Sequence, residues 1–277
     1  MKFALNENTL ITCGLSEFLQ ASAEAGFTAV ELSYPKVKEA LRFIPADTVR
    51  QLIGELGLQI LSLNAFEDVF LVPESGLAAV ETEARLIGEL CTAIGCPAVI
   101  LPSSRWYSRY GELPEADELY SIYGSRLLLF KHIFSEYDVE LLFEPIAYPE
   151  FVLGSVDEVN RVMDHPELTE LRIVPDIHNL FRNRQGPQQL PHYRNAIGLF
   201  HIDDTVTGDL DSLDVARDRT YPGKGVAGAA EWVRQAGRLG YSGYFSLELF
   251  SEELYAMDAG RAAALCMRQL REFEQML

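Results

Sequence analysis

At 277 residues and 48% hydrophobic, the chain can bury one large core, and α/β barrels of this size are commonly a single domain. A net charge of −18 with no basic stripe sets nucleic acid aside as a partner. No apolar run reaches the ~18 residues of a membrane span, and the start MKFALNENTL is no secretory signal, so no membrane partner and a cytoplasmic location are expected.

In chain order, the first apolar run is KFALN (2–6), followed by a helical pattern, LSEFLQASAEAG (15–26). TAVELS (28–33) and LQILSLN (58–64) come next, then a second long helical pattern, AAVETEARLIGELCTAIG (78–95). PAVILPS (97–103), VELLFEP (139–145), LRIVPD (171–176) and IGLFHID (197–203) continue the series. The helical AEWVRQAGRLG (230–240) leads into the last run, YFSLELF (244–250). Short apolar runs of this kind are strands buried on both faces, as in parallel sheets. Gly26, Gly57, Gly95 and Gly240 each close a helix just before the next strand.

Eight strands alternating with helices predict an α/β fold, a single (β/α)8 TIM barrel over residues 1–277 with no linker. The competing doubly wound sheet needs a Gly-rich phosphate loop after its first strand, and NENTLITCG carries one glycine. Cys13, Cys91, Cys96 and Cys266 form no CxxC pair and are expected to be reduced.

In such a barrel the strand ends and the loops after them carry the chemistry. Glu144, Asp176, His201 and Glu248 end the fifth to eighth strands. Each has an ordinary reading alone. Glu144 suits a surface strand end, Asp176 a helix N-cap, and His201 a satisfied core histidine. Glu248 lies between Leu247 and Leu249, where an unpaired carboxylate would cost several kcal/mol. Together they form a site for one divalent ion. Three carboxylates and an imidazole suit Mn²⁺ first, then Mg²⁺ or Co²⁺, with Zn²⁺ also allowed by ligand type. Long loops after strands four, six and seven shape a pocket. Trp106, Tyr107 and Phe66, near strand ends, offer apolar faces to a sugar ring. Phosphorylated substrates are disfavoured, because Arg217, Arg219 and Lys224 stand among Asp203, Asp204, Asp209, Asp211, Asp214 and Asp218.

On these residues the chain resembles the xylose-isomerase-like barrels, which include sugar epimerases, inosose dehydratases, hydroxypyruvate isomerases and relatives of apurinic endonucleases. The family pattern of Glu, Asp, His and Glu on strands five to eight is matched by Glu144, Asp176, His201 and Glu248. The resemblance implies that Glu144 and Glu248 are also the acid–base pair. It places Glu150, six residues after Glu144, in the substrate pocket, and Arg219, four before the first glycine of GKG, on the substrate. Two departures stand out. Strand six reads DIHN where the family commonly has D-x-x-H, which puts Asn179 at the imidazole position and His178 on the alternate face. Strand three ends in SLNAF, with Asn64 where the DNA-repair branch needs a zinc-binding His, so endonuclease activity is not expected. Asn64 and Trp106 complete the expected substrate contacts.

The expected activity is a divalent-metal-dependent isomerase or epimerase of a keto-sugar or related polyol-derived carbonyl compound. The metal would stabilise an enediolate, while two carboxylates remove and return the proton. The alternatives are a dehydratase or lyase of the inosose or dehydroshikimate type, and a metal-free barrel without catalysis. The expected partner is a small carbohydrate, and assembly as a homo-oligomer is open.

Overall fold

Strands covered on both faces run apolar without alternation, and β2 (Ala29–Ser33) and β4 (Ala98–Pro102) are buried over their whole length. The structure, a computed structural model, describes all residues except 108–111, 147, 149, 211 and 215–216. With β1 (Lys2–Asn6), β3 (Gln59–Asn64), β5 (Glu140–Glu144), β6 (Arg172–Ile173), β7 (Phe200–Ile202) and β10 (Tyr244–Leu247) they form one sheet of eight parallel strands. Its order is β6-β5-β4-β3-β2-β1-β10-β7. Parallel bridges Ile173–Ile197 and Asp176–His201 join the two end strands, so the sheet curls back on itself as a TIM barrel. A separate antiparallel pair, β8 (Asp204–Thr205) and β9 (Arg219–Thr220), rises from the loop after β7.

The helices lie outside. The main apolar core fills the layer between them and the strands, and holds Phe18, Phe130, Phe143 and Trp232. A smaller cluster of Ala98, Ile100, Leu142, Val174 and Leu199 plugs the barrel interior. Side chains repeat every second residue along a strand, so the residues two positions on from this plug face the same interior one layer higher. Those residues are Glu144, Asp176 and His201, and the strand periodicity thus carries them to the rim above an apolar floor.

The boundaries differ from expectation at the sixth and seventh strands. The expected strand 171–176 shrinks to two residues, because Pro175 has no N–H to donate and Asp176 turns the chain into α7 (Ile177–Arg182). The expected 197–203 shrinks to 200–202, although Gly198 N–H still donates to Ile173 O at 2.8 Å. Gly26, Gly57, Gly95 and Gly240 adopt φ of 92°, 66°, 76° and 82°, the left-handed turn that ends a helix. All four cysteines are free. Among the described residues no helix is long and apolar enough to cross a membrane.

Candidate metal centre and active site

Four strand ends converge. One donor atom from each of Glu144, Asp176, His201 and Glu248 lies within 4.8 Å of the other three, and all four residues are buried. His201 Nδ1 stands 3.5 Å from Glu144 Oε1, 3.4 Å from Glu248 Oε2 and 3.9 Å from Asp176 Oδ2. It is a buried nitrogen with no hydrogen-bond partner. The other ring nitrogen is occupied, since Nε2 lies 3.1 Å from Glu31 Oε1. A carboxylate on the far side of the ring fixes its orientation and leaves Nδ1 turned to the three acids. Donors each ~2.0–2.2 Å from one ion stand at most about 4.4 Å apart. The cluster therefore fits a single divalent ion after a contraction of a few tenths of an ångström.

Each of these side chains is held from behind. Glu248 Oε1 accepts from three amides, Asn6 Nδ2 at 3.1 Å, Asn8 Nδ2 at 3.2 Å and Asn64 Nδ2 at 3.1 Å. Thr9 Oγ1 donates to Leu247 O and accepts from Leu249 N–H, both at 3.0 Å, which clamps the backbone on either side of Glu248. Glu144 Oε1 accepts from Asn179 Nδ2 at 3.3 Å. Asp176 does two jobs: Oδ1 caps α7 by accepting from Asn179 N–H at 2.7 Å, while Oδ2 accepts from Arg219 Nη1 at 2.7 Å. Arg219 Nη1 also donates to Asp203 Oδ2 at 2.7 Å.

The charge balance is negative. Burial, with the charges of Glu248 and Asp176 added, pushes the Glu144 carboxyl up to about 7 against the pull of His201. Burial opposes a proton on His201, but Glu31, Glu248 and Glu144 outweigh it and hold the imidazole well above its ordinary range. Burial would also raise Asp176, yet Arg219, His201 and the Asn179 N–H keep it low. Asp203, buried beside Asp176, is pushed up.

A cavity of ≈ 240 Å³ opens over this cluster, lined by Asn8, Asn64, Glu144, Asn179, Arg219 and Glu248 among others. Tyr148, Phe151 and Phe250 give it aromatic faces, and Glu67, Arg105 and Glu150 its polar outer wall. Asn179 is the member of the His178–Asn179 pair that faces the cavity. His178 is buried behind it, with Nε2 2.6 Å from Tyr148 OH and Nδ1 3.0 Å from Thr205 Oγ1. Burial, then Arg219, pushes His178 down to about 3 and keeps it neutral. Arg219 is turned inward and only 7% exposed.

Trp106 does not line the cavity. It is half-buried against the outer core, and its backbone N–H donates to Glu150 O at 2.7 Å. Phe66 packs edge-on against Phe130, and Tyr107 OH donates to Asp68 at 2.7 Å. Sequence reasoning missed Glu31, Asn6, Asn8 and Arg105, and named Asp203 only among the acids around Arg219, the guanidinium it pairs with. Glu31 carried a signal, an acid inside the apolar run TAVELS, of the same kind that marked Glu248. Asn8 carried none.

The sequence profile of the xylose isomerase-like TIM barrel family matches residues 19–272. The chain belongs to that family. Among its curated relatives, an inosose isomerase of Halalkalibacterium halodurans is 23% identical over 275 residues, covering 95% of this barrel and 92% of the relative. A putative hydroxypyruvate isomerase of Streptomyces coelicolor is 23% identical over 265 residues, covering 89% of this barrel and 90% of the relative. The crystal structure of the IolI protein with a bound zinc atom superposes with a TM-score of 0.90 at 20% identity, covering 100% of this chain and 99% of that one. At that identity the superposition shows a shared fold.

Proposed function

We propose that this xylose isomerase-like barrel is a divalent-metal-dependent isomerase or epimerase of a keto-sugar or a cyclic polyol-derived ketone. One observation carries the reading: the unpartnered His201 Nδ1 lies between Glu144, Asp176 and Glu248, and two of those acids also line the cavity. Glu144, Asp176, His201 and Glu248 would hold the ion, with Mn²⁺ the best match to three carboxylates and one imidazole. When bound, it supplies Lewis-acid polarisation of the substrate carbonyl.

The chain's own groups do the rest. Glu144 and Glu248 take a proton from the carbon beside the carbonyl and return one. Asn179 orients Glu144, and Asn6, Asn8 and Asn64 fix Glu248. Arg219, and Glu150 at the outer wall, meet substrate hydroxyls. Tyr148, Phe151 and Phe250 exclude water from one face. A cavity of ≈ 240 Å³ is below the ~300–1,000 Å³ of sites for drug-sized ligands, and suits a single sugar or cyclitol ring. The names of the curated relatives, inosose isomerase and putative hydroxypyruvate isomerase, support the same chemistry.

The test is proton exchange in deuterated water, followed by NMR, with Mn²⁺-loaded protein and a panel of keto-sugars, inososes and hydroxypyruvate. Deuterium at the carbon beside the carbonyl, with conversion to an isomer or epimer, is the expected result. Net loss of water from the substrate would replace the reading with a dehydratase. No exchange on any member, or equal exchange after chelation, would refute it.

A further inference from the structure

The outer wall of the cavity contains a charge cluster that the proton-transfer chemistry does not use. Glu67 and Asp68 follow β3, Arg105 and Tyr107 follow β4, and Phe151 follows β5. Arg105 and Phe151 pair as an antiparallel bridge, which ties these loops into one wall. Asp68 grips Arg105 from behind: Arg105 Nε lies 3.1 and 3.0 Å from its two oxygens, Nη2 lies 2.5 Å from Oδ2, and the backbone N–H donates to Oδ1 at 3.0 Å. Glu67 takes the same Nη2 at 2.9 Å. Arg105 lines the cavity, but Asp68 does not.

Among the described residues, Arg105 and Arg219 are the cations lining the cavity, against the carboxylates of Glu67, Glu144, Glu150 and Glu248. Each guanidinium already has two carboxylates of its own: Asp68 and Glu67 on Arg105, Asp176 and Asp203 on Arg219. A divalent ion among the four ligands would offset two charges and leave Glu67 and Glu150 facing the substrate. The neutral side-chain donors include the amides of Asn8 and Asn64, which point at Glu248, and the Tyr148 hydroxyl, which lies beside His178. A substrate hydroxyl fits these surroundings as donor or acceptor. Among the described residues, a substrate carboxylate or phosphate would meet surplus negative charge and no side-chain cation that is not already paired with carboxylates.

We propose that this site selects uncharged polyhydroxy carbonyl compounds over carboxylated or phosphorylated ones, and that Asp68 is a specificity-determining residue because it neutralises Arg105. The inference rests on the proposed activity and goes one step further, since it separates an inosose or keto-sugar from hydroxypyruvate-like anions. Removing the Asp68 charge leaves Arg105 able to receive an anion. At a separation of several ångströms and an effective dielectric near 20, one charge changes anion binding by about 10-fold or more.

The experiment compares the metal-loaded wild type with Asp68→Asn, Glu67→Gln and the double variant Asp68→Asn/Arg105→Gln. Calorimetry measures binding of myo-inositol and of quinate, a neutral and a carboxylated ring of similar size. The wild type is expected to bind myo-inositol about 10-fold or more tightly than quinate. Asp68→Asn should raise the quinate-to-inositol ratio by about 10-fold, Glu67→Gln should shift it the same way, and the double variant should return it to the wild-type value. A variant that merely loosens the loop would weaken both ligands equally. That result, a wild-type preference for quinate, or no binding of myo-inositol would each overturn the proposal. Its failure is distinct from failure of the proposed activity. Preferred exchange on an anionic substrate would sink only the selectivity, whereas no exchange on any substrate, with the binding ratios intact, would sink only the chemistry.

Discussion

Replacing Glu144 by Gln should stabilise the metal-free protein while removing most turnover. The Glu144 carboxyl is raised from an ordinary 4.5 to about 7 by burial and by the charges of Glu248 and Asp176. A raised acid binds its proton more tightly when folded, so ionising it costs stability. That cost is absent below pH 4.5, grows through the interval and is complete above about 7. At about 1.4 kcal/mol per pH unit it reaches roughly 3 kcal/mol, an upper bound in so strongly coupled a cluster. Gln removes the charge and keeps an oxygen for Asn179 Nδ2, now 3.3 Å from Glu144 Oε1. In EDTA at pH 8 the variant should therefore unfold about 1–3 kcal/mol later than the wild type, or roughly 2–5 °C higher for a chain of this length. Mn²⁺ at a hundredfold excess over its dissociation constant should add about 2.7 kcal/mol to the wild type and far less to the variant. Added metal should thus close most of the gap between the two proteins, and reverse it where the metal-free difference is below about 2 kcal/mol. Thermal unfolding by circular dichroism, with and without Mn²⁺, reads both halves. A Glu144→Gln protein less stable than wild type in EDTA, or one gaining as much from Mn²⁺, would refute the reasoning.

Two further substitutions probe the supporting groups. Glu31→Gln leaves His201 Nε2 beside a neutral amide and should weaken Mn²⁺ binding about 10–100-fold by calorimetry; unchanged affinity would mean that the ring needs no carboxylate behind it. Arg219→Ala leaves Asp176 and Asp203 buried without their cation and should cost about 3–5 kcal/mol in urea unfolding of the metal-free protein, alongside a kcat/KM reduced about 10-fold or more. A loss under about 1 kcal/mol would show that the two acids share a proton and no longer need the guanidinium.

The barrel was legible because buried parallel strands leave continuous apolar runs, and a glycine in the left-handed turn punctuates four of the returns to the sheet. The four clustered donors were legible for a related reason: a charged residue that ends an apolar run has few places to go except a rim. Boundaries at the sixth and seventh strands were not, because Asp176 has to serve both the cluster and the N-terminus of α7, and a proline beside it removes a ladder donor. Asn8 and Arg105 were invisible for a different reason. Asn8 reaches the cavity from the single 3-10 turn Glu7–Leu10 and Arg105 from a loop, segments too short or irregular for periodicity to set direction, and tertiary contacts with Glu248 and Asp68 aim them inward. Trp106 shows the converse, an aromatic at a strand end whose ring packs against the outer core while its neighbour takes the place at the cavity.

The grip of Asn6, Asn8 and Thr9 on residues 247–249 also ties chemistry to folding. Those partners are 238 to 242 positions apart in sequence, about as non-local as contacts in this chain can be, and such pairings form late and slowly. During synthesis the first strand emerges long before the carboxylate it must orient, so Glu248 is locked only when the ring of strands is complete. On the proposed reading, a partly made or misregistered barrel would lack a fixed fourth donor and hold a metal ion poorly. Ion retention would then report that the two ends of the sheet have met in the right register.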